Sequence, residues 1–192
     1  LWVGTSVGLN RLDPGKDEFK LIRFGSIADD YINVIAPGAE GKLWLGTGDS
    51  LIHFDPQTDH FTKYTPDPKN PDSRGAKGST VILHDKQGRV WVGAEWVGGG
   101  LDLLDLSSGK FRHFKHDPKN PQSISADNVS SLFQDSKGRI WVGTINGLNQ
   151  IVEEQGQYHF RHFDGPNSVG RAKIVAIEAA AFREHGRTVA PA

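Results

Sequence analysis

The chain has 192 residues, 36% apolar and 23% charged, with a net charge of −1, a balance that fits a folded globular domain and excludes a disordered tail. That charge gives no field for phosphate or anionic lipid, and no arginine/lysine stripe with interleaved aromatics occurs, so nucleic acid is not an expected partner. The absence of cysteine removes any disulfide frame or thiolate chemistry, and no apolar run approaches the roughly 20 residues that span a bilayer, so no membrane contact is expected of this segment.

Twenty-three glycines and ten prolines are spread at recurring offsets, which marks many turns between short strands. In chain order, Leu1-Trp2-Val3-Gly4-Thr5 opens the sequence and returns as Leu43-Trp44-Leu45-Gly46-Thr47, Val90-Trp91-Val92-Gly93-Ala94 and Ile140-Trp141-Val142-Gly143-Thr144. The tryptophans lie 42, 47 and 50 residues apart, a supersecondary period. After each comes a second segment with period-two alternation, at Gly8 to Pro14, Ser50 to Pro56, Gly100 to Asp105 and Gly147 to Ile151. A third strand carries paired aromatics: Phe19 and Phe24, Phe61 and Tyr64, Phe111 and Phe114, Phe160 and Phe163.

Polar loops follow, with Asp67-Pro68-Lys69-Asn70-Pro71 repeated as Asp117-Pro118-Lys119-Asn120-Pro121; proline removes ladder donors and keeps these segments out of the sheets. A fourth strand then leads into a glycine hairpin, predicted at Tyr31 to Ala36, Thr80 to His84 and Val129 to Gln134. The unit is four antiparallel strands in about 47 residues, one blade of an all-β propeller; a right-handed solenoid of hairpins is the alternative. Residues 1–192 read as one repeat domain of about four blades, near 1–31, 32–78, 79–126 and 127–173, with 174–192 as a closing strand or tail.

The chain opens inside a repeat and holds no methionine, as expected of a piece of a longer protein. The first blade begins at its second strand. Residues 174 to 182 can be laid on the pattern as a fourth strand, with Glu184-His185-Gly186-Arg187 as hairpin and Thr188-Val189-Ala190 in place of Trp-Val-Gly, although Glu178 to Glu184 also suits a short helix. As a strand, the tail would complete the first blade, either closing a ring of four or joining a second copy in a homo-oligomer.

The run from Phe111-Arg112-His113-Phe114-Lys115-His116-Asp117-Pro118 through Ser123-Ile124-Ser125-Ala126-Asp127-Asn128 to Gly138-Arg139-Ile140-Trp141-Val142-Gly143-Thr144 resembles the two-component regulator propeller repeat, and the likeness extends over residues 1 to about 163. The resemblance implies an extracytoplasmic or periplasmic sensor domain of a hybrid two-component system or sensor histidine kinase, of a kind that detects carbohydrate breakdown products. Sensors of this type usually carry more blades than four.

The repeating Trp2, Trp44, Trp91 and Trp141 are expected to pack between blades, each burying on the order of 150–250 Å². Trp96 is out of register, in the insertion Glu95-Trp96-Val97-Gly98-Gly99, and suits a ligand platform. In an up-and-down blade the connections between second and third strands share a face with those between blades. Asp30, Tyr31, Arg74, Lys77, Trp96, His116 and Asn146 are therefore the candidate binding residues for a small polar or oligosaccharide ligand.

His113, His162 and His53 read as structural or solvent-facing, and no histidine pair has metal-ligand spacing, so no metal or cofactor is expected. The Asp-Pro pairs lack calcium-loop spacing, Gly98-Gly99-Gly100 precedes neither lysine nor helix, and no Gly-x-Ser-x-Gly occurs. A non-catalytic sensor module is the leading expectation. A self-assembling interaction propeller and a propeller lyase or hydrolase are the alternatives.

Overall fold

In the computed structural model, side-chain and backbone placement is described for residues 1–95, 99–165 and 168–178, and backbone alone for 182–184 and 187–189. The first sheet holds β1 (Trp2–Thr5), β2 (Gly8–Asp13) and β3 (Glu18–Ile22). A four-residue helix α1 (Ile27–Asp30), which the repeat pattern does not predict, leads into β4 (Ile32–Pro37), β5 (Leu43–Thr47), β6 (Leu51–Asp55) and β7 (His60–Tyr64). The third sheet is β8 (Val81–His84), β9 (Val90–Ala94), β10 (Gly100–Asp105) and β11 (Lys110–Phe114). The fourth is β12 (Val129–Gln134), β13 (Ile140–Thr144), β14 (Gly147–Glu154) and β15 (Gln157–Phe163). Within each sheet the strands lie in chain order and pair antiparallel, so the all-β propeller-type blade is the repeating unit.

The core lies between blades. Leu9 and Phe24 meet Leu45, Ile52 and Phe54; Trp44 meets Val90, Leu104 and Phe111; Trp91 meets Ile124, Val142 and Phe160. Trp44 and Trp91 are 1% and 0% exposed, each contributing on the order of 4 kcal/mol of gross burial. Trp2 and Trp141 are half-buried, Trp2 edge-on to Phe54 at 6.0 Å and Trp141 5.0 Å from Phe163.

Two details explain why the Trp-x-Gly-Thr string recurs. Its glycine lies against the inner strand of the next blade: a Cβ on Gly93 would stand 2.6 Å from Val129 Cγ1, and one on Gly46 would stand 2.5 Å from Ser79 Cβ. Its threonine closes the tight turn that follows, because Thr5, Thr47 and Thr144 Oγ1 donate to the carbonyls of Gly8, Ser50 and Gly147 at 2.9, 3.1 and 3.1 Å. The third copy has Ala94 there, in the one blade whose turn is lengthened by the 95–99 insertion.

The hairpin acid is a further fixture. Asp85 accepts from the amides of Gln87 and Arg89 (both 2.9 Å), from Arg89 Nε (2.7 Å) and from Trp91 Nε1 (2.9 Å). Asp135 repeats the set with Lys137, Arg139 and Trp141. Burial pushes both carboxyls up, but these hydrogen bonds outweigh it and hold them below the usual carboxylate range. In the second blade Gly38 stands at the acid's position, and Trp44 instead stacks on His53 with centroids 4.1 Å apart.

The twin Asp-Pro-Lys-Asn-Pro loops fold alike. Asp67 Oδ1 accepts from Lys69 N, Asn70 Oδ1 from Asp72 N, and Ser73 Oγ from Asp67 N; Asp117, Asn120 and Ser123 do the same, the self-turning habit of Asx residues. Each loop then lies against the outermost strand of the blade it enters, with Phe111 N donating to Asp72 O (2.9 Å) and Phe160 N to Gln122 O (2.8 Å). A basic residue one place from the end of the outer strand grips the same loops: Lys63 Nζ binds Phe24 O, His113 Nε2 contacts Pro71 O at 3.1 Å, and His162 Nε2 contacts Ser123 O at 2.7 Å. Both histidines tie their strand to the entering loop, in keeping with the structural side of the expectation that they are structural or solvent-facing.

In the tail, Ile174 N donates to Thr144 O (2.9 Å), as Ser79 N does to Thr47 O (3.2 Å), and Ile174 O accepts from Ser130 Oγ as Val129 O does from Thr80 Oγ1. Ile174 thus occupies, against Gly143 of the fourth blade, the place that Ile32, Ser79 and Val129 take against Gly4, Gly46 and Gly93, at or just before the inner strand of the following blade. Beyond it, residues 174–178 form no strand, and β16 (Phe182–Glu184) pairs antiparallel with β17 (Arg187–Val189) in a two-stranded sheet of their own, not beside β1. Residues 182–184 are extended and not helical, but among the described residues the expected strand over 174–182 does not complete the first blade. His185, Gly186 and Ala190 lie outside the described residues.

Candidate functional site

The seven candidate residues do not come together at one place. His116, on the loop between the third and fourth blades, and Asn146, in the turn between β13 and β14, line one cavity of about 260 Å³ together with Ser125, His162, Asp164 and Arg171. Interblade loops and second-to-third-strand turns therefore do share a face. Asn146 N donates to Thr144 Oγ1 (3.0 Å) and Asn146 Nδ2 to Ser125 O (3.1 Å), which fixes the amide at the rim. His116 is held from behind by its Nδ1 against Ile124 O (2.8 Å) and by its amide on Asp127 Oδ1 (2.7 Å).

Gly147 makes this geometry possible: its φ is +100°, and a Cβ there would lie 2.7 Å from Gly170 O. Behind Ser125, which lines the cavity, lies a buried hydrogen-bonded cluster. Asn149 Oδ1 accepts from Ser125 N (3.0 Å), its Nδ2 donates to Ser125 Oγ (2.8 Å), and Ser125 Oγ lies 2.8 Å from Thr144 Oγ1. Arg171 and Asp164, both well exposed, face each other across the mouth at 3.7 Å. The lining is thus mostly polar, with Asn146, Ser125 and His162 along it and one charged pair at its entrance.

Asp30, Tyr31 and Lys77 stand apart from it. Asp30 is buried and accepts from Phe24 N at 2.6 Å, the same clasp that Asp127 makes with His116 N, so its work is to hold an interblade loop. Tyr31 is 52% exposed; Lys77 is exposed and pairs with Asp49 at 2.9 Å. Arg74 is not displayed on the loop surface: it is 3% exposed and occupies the position that Ile124 holds in the next repeat, with its Nε 3.7 Å from Asp102 Oδ2. Trp96 lies outside the described residues.

Two acids that the sequence did not single out organise this face. Asp29 accepts from Lys63 Nζ (2.7 Å), Ser50 Oγ (2.6 Å), Thr47 Oγ1 (3.2 Å) and Ser26 Oγ (3.0 Å). Burial raises its pKa, but the bonds from Lys63, Ser50 and Ser26 prevail and lower it. Asp102 accepts from Gly75 N (3.1 Å) and pairs with His113 Nδ1 (2.7 Å), and that bond raises the histidine's pKa against the opposing effect of burial. The only sequence signal for either was an acid at a position where neighbouring repeats carry alanine (Ala76 and Ala126 for Asp29) or asparagine (Asn149 for Asp102).

The fold and its loop-face cavity define a propeller-type repeat protein. Residues 123–146 match the family described as two component regulator propeller, so the chain carries that repeat. No curated protein matches the chain. Among solved structures, it is similar to the extracellular domain of a hybrid two component system from B. thetaiotaomicron, at 21% identity and a TM-score of 0.65 over 82% of this chain and 21% of that one. A second such domain from the same organism gives 18% and 0.54 over 93% and 30%. Virginiamycin B lyase from Staphylococcus aureus gives 16% and 0.61 over 86% and 52%. At these identities the likeness is one of fold, and the chain spans about half or less of each structure's length. Among the described residues no helix is long and apolar enough to cross a membrane.

Proposed function

We propose that the chain is part of the extracytoplasmic, non-catalytic sensor region of a two-component signalling protein and takes a polar, carbohydrate-type ligand in the cavity between the fourth blade and its entering loop. The supporting observation is that His116 and Asn146, which strand order puts on the loop face, line one polar cavity with Ser125, His162, Asp164 and Arg171. The matching repeat lies on the same blade. Recognition is by hydrogen bonds to a prearranged rim, and a signal follows only insofar as the ligand prefers one state of the larger protein.

Calorimetric titration with a panel of neutral oligosaccharides tests this reading. A binding sugar should lose at least about tenfold in affinity, some 1.4 kcal/mol, on Asn146→Ala or His116→Ala and none on Lys16→Ala in the first blade. Sugar binding that ignores both cavity variants refutes it.

A further inference from the structure

The repeats build the loop-face arrangement twice, with different charge. Gly75, Asp102, His113 and Lys115 in the third blade stand where Ser125, Asn149, His162 and Asp164 stand in the fourth. The amide of Gly75 bonds Asp102 Oδ2 as that of Ser125 bonds Asn149 Oδ1, and both histidines reach back to the entering loop. Beneath them the fourth blade has Ile124, wholly buried in the apolar core, and the third has Arg74.

Arg74 is the anomaly. Its side chain is fully enclosed, yet none of its three guanidinium nitrogens has a hydrogen-bond partner among the described residues. The 3.7 Å approach of Nε to Asp102 is too long for a hydrogen bond. An isoleucine at this site packs well in the sibling repeat, so the arginine weakens the fold, and such breaks in local consistency mark function. The acid nearest Arg74, Asp102, is already engaged by the Gly75 amide and by His113 Nδ1. The corresponding set in the fourth blade contains no arginine or lysine. A guanidinium fork with open donors is matched by a two-oxygen acceptor.

We propose that the junction of the second and third blades is a second, cationic site, in which the Arg74 guanidinium takes an oxyanion group, a carboxylate, sulfate or phosphate, of a bound ligand. The neighbouring Gly75 is exposed and carries no side chain, which leaves the backbone beside Arg74 open to solvent, and the carboxylate of Asp102 competes with the anion for the guanidinium. This site goes beyond the neutral cavity at His116 and Asn146 and does not depend on it.

The test is thermal melting of the protein in sodium acetate, sulfate and phosphate, each against sodium chloride at equal ionic strength, for wild type, Arg74→Ile and Asp102→Asn. At least one oxyanion should raise the wild-type midpoint in a saturable manner, and which one does so separates carboxylate from sulfate and phosphate. Arg74→Ile should melt at or above the wild type in chloride and lose the saturable shift. Asp102→Asn, which copies the sibling repeat, should lower the half-saturating concentration about tenfold. A wild type without a saturable shift, an equal shift in Arg74→Ile, or an Asp102→Asn protein with unchanged half-saturation overturns the proposal. Sulfate's general stabilising action raises all three proteins alike and is subtracted by the isoleucine variant. Neutral-sugar binding at the other cavity should survive Arg74→Ile, so the two sites stand or fall separately.

Discussion

Replacing Asp85 by alanine removes an acceptor that four donors share: two hairpin amides, Arg89 Nε and the indole N–H of Trp91. The amides and the guanidinium lie near enough to the surface to turn to water, so their loss is small. The indole cannot, because Trp91 is fully buried, and an orphaned buried donor costs about 1–3 kcal/mol. Arg89 keeps its pairing with Glu153, so the total stays at about 1–3 kcal/mol, which in a chain of this length lowers the melting midpoint by about 5 °C. Urea titration followed by tryptophan fluorescence measures the loss, and a double-mutant cycle with Trp91→Phe isolates the indole bond. Because Asp85 is held below its ordinary pKa, its contribution is present above the unfolded carboxyl pKa and fades as pH falls through the folded one. The alanine variant should therefore show a shallower acid limb. A loss under about 1 kcal/mol, or no coupling to Trp91, would show that the acid is an ordinary turn residue.

Two further outcomes follow from the same geometry. His113 has its pKa raised by Asp102, so its contribution is complete below the unfolded histidine value and is lost as pH rises through the folded one; wild-type stability should fall relative to His113→Gln across that interval in paired urea titrations. Gly93→Ala places a methyl 2.6 Å from Val129 and 2.7 Å from Val81, an overpacking worth about 1–3 kcal/mol, whereas Gly41→Ala, in open space but at φ +76°, costs about 1 kcal/mol; equal losses at the two positions would refute the account of blade packing.

The strands were legible because their information is local. Alternation with period two, a glycine turn and a recurring tryptophan place all four blades, and even the duplicated Asp-Pro loops fold as twins because Asx residues satisfy their own backbone. The side-chain hubs were not legible. Asp29 draws partners from residues 26, 47, 50 and 63, and Arg74 meets Asp102 across two blades; nothing in either neighbourhood along the chain announces this. Arginine reads as surface by type, so an arginine in an isoleucine's core position looks like a loop residue until the sheets are assembled. The short helix α1 was missed for the same reason, since it is held by Ser26 capping and by Asp29's distant partners rather than by any helical period.

The loops that enter the third and fourth blades have a consequence for behaviour at high concentration. β11 and β15 are the outermost strands of their sheets, and an outermost strand ordinarily offers a free ladder on which another chain can grow. Here Asp72 and Gln122 already take amides of Phe111 and Phe160, and His113 and His162 anchor the same loops from the side-chain direction. The connection that brings the chain into a blade thus also covers part of that blade's outer edge, occupying one of its outward amides, so part of the protection against edge-to-edge pairing is supplied by the linker.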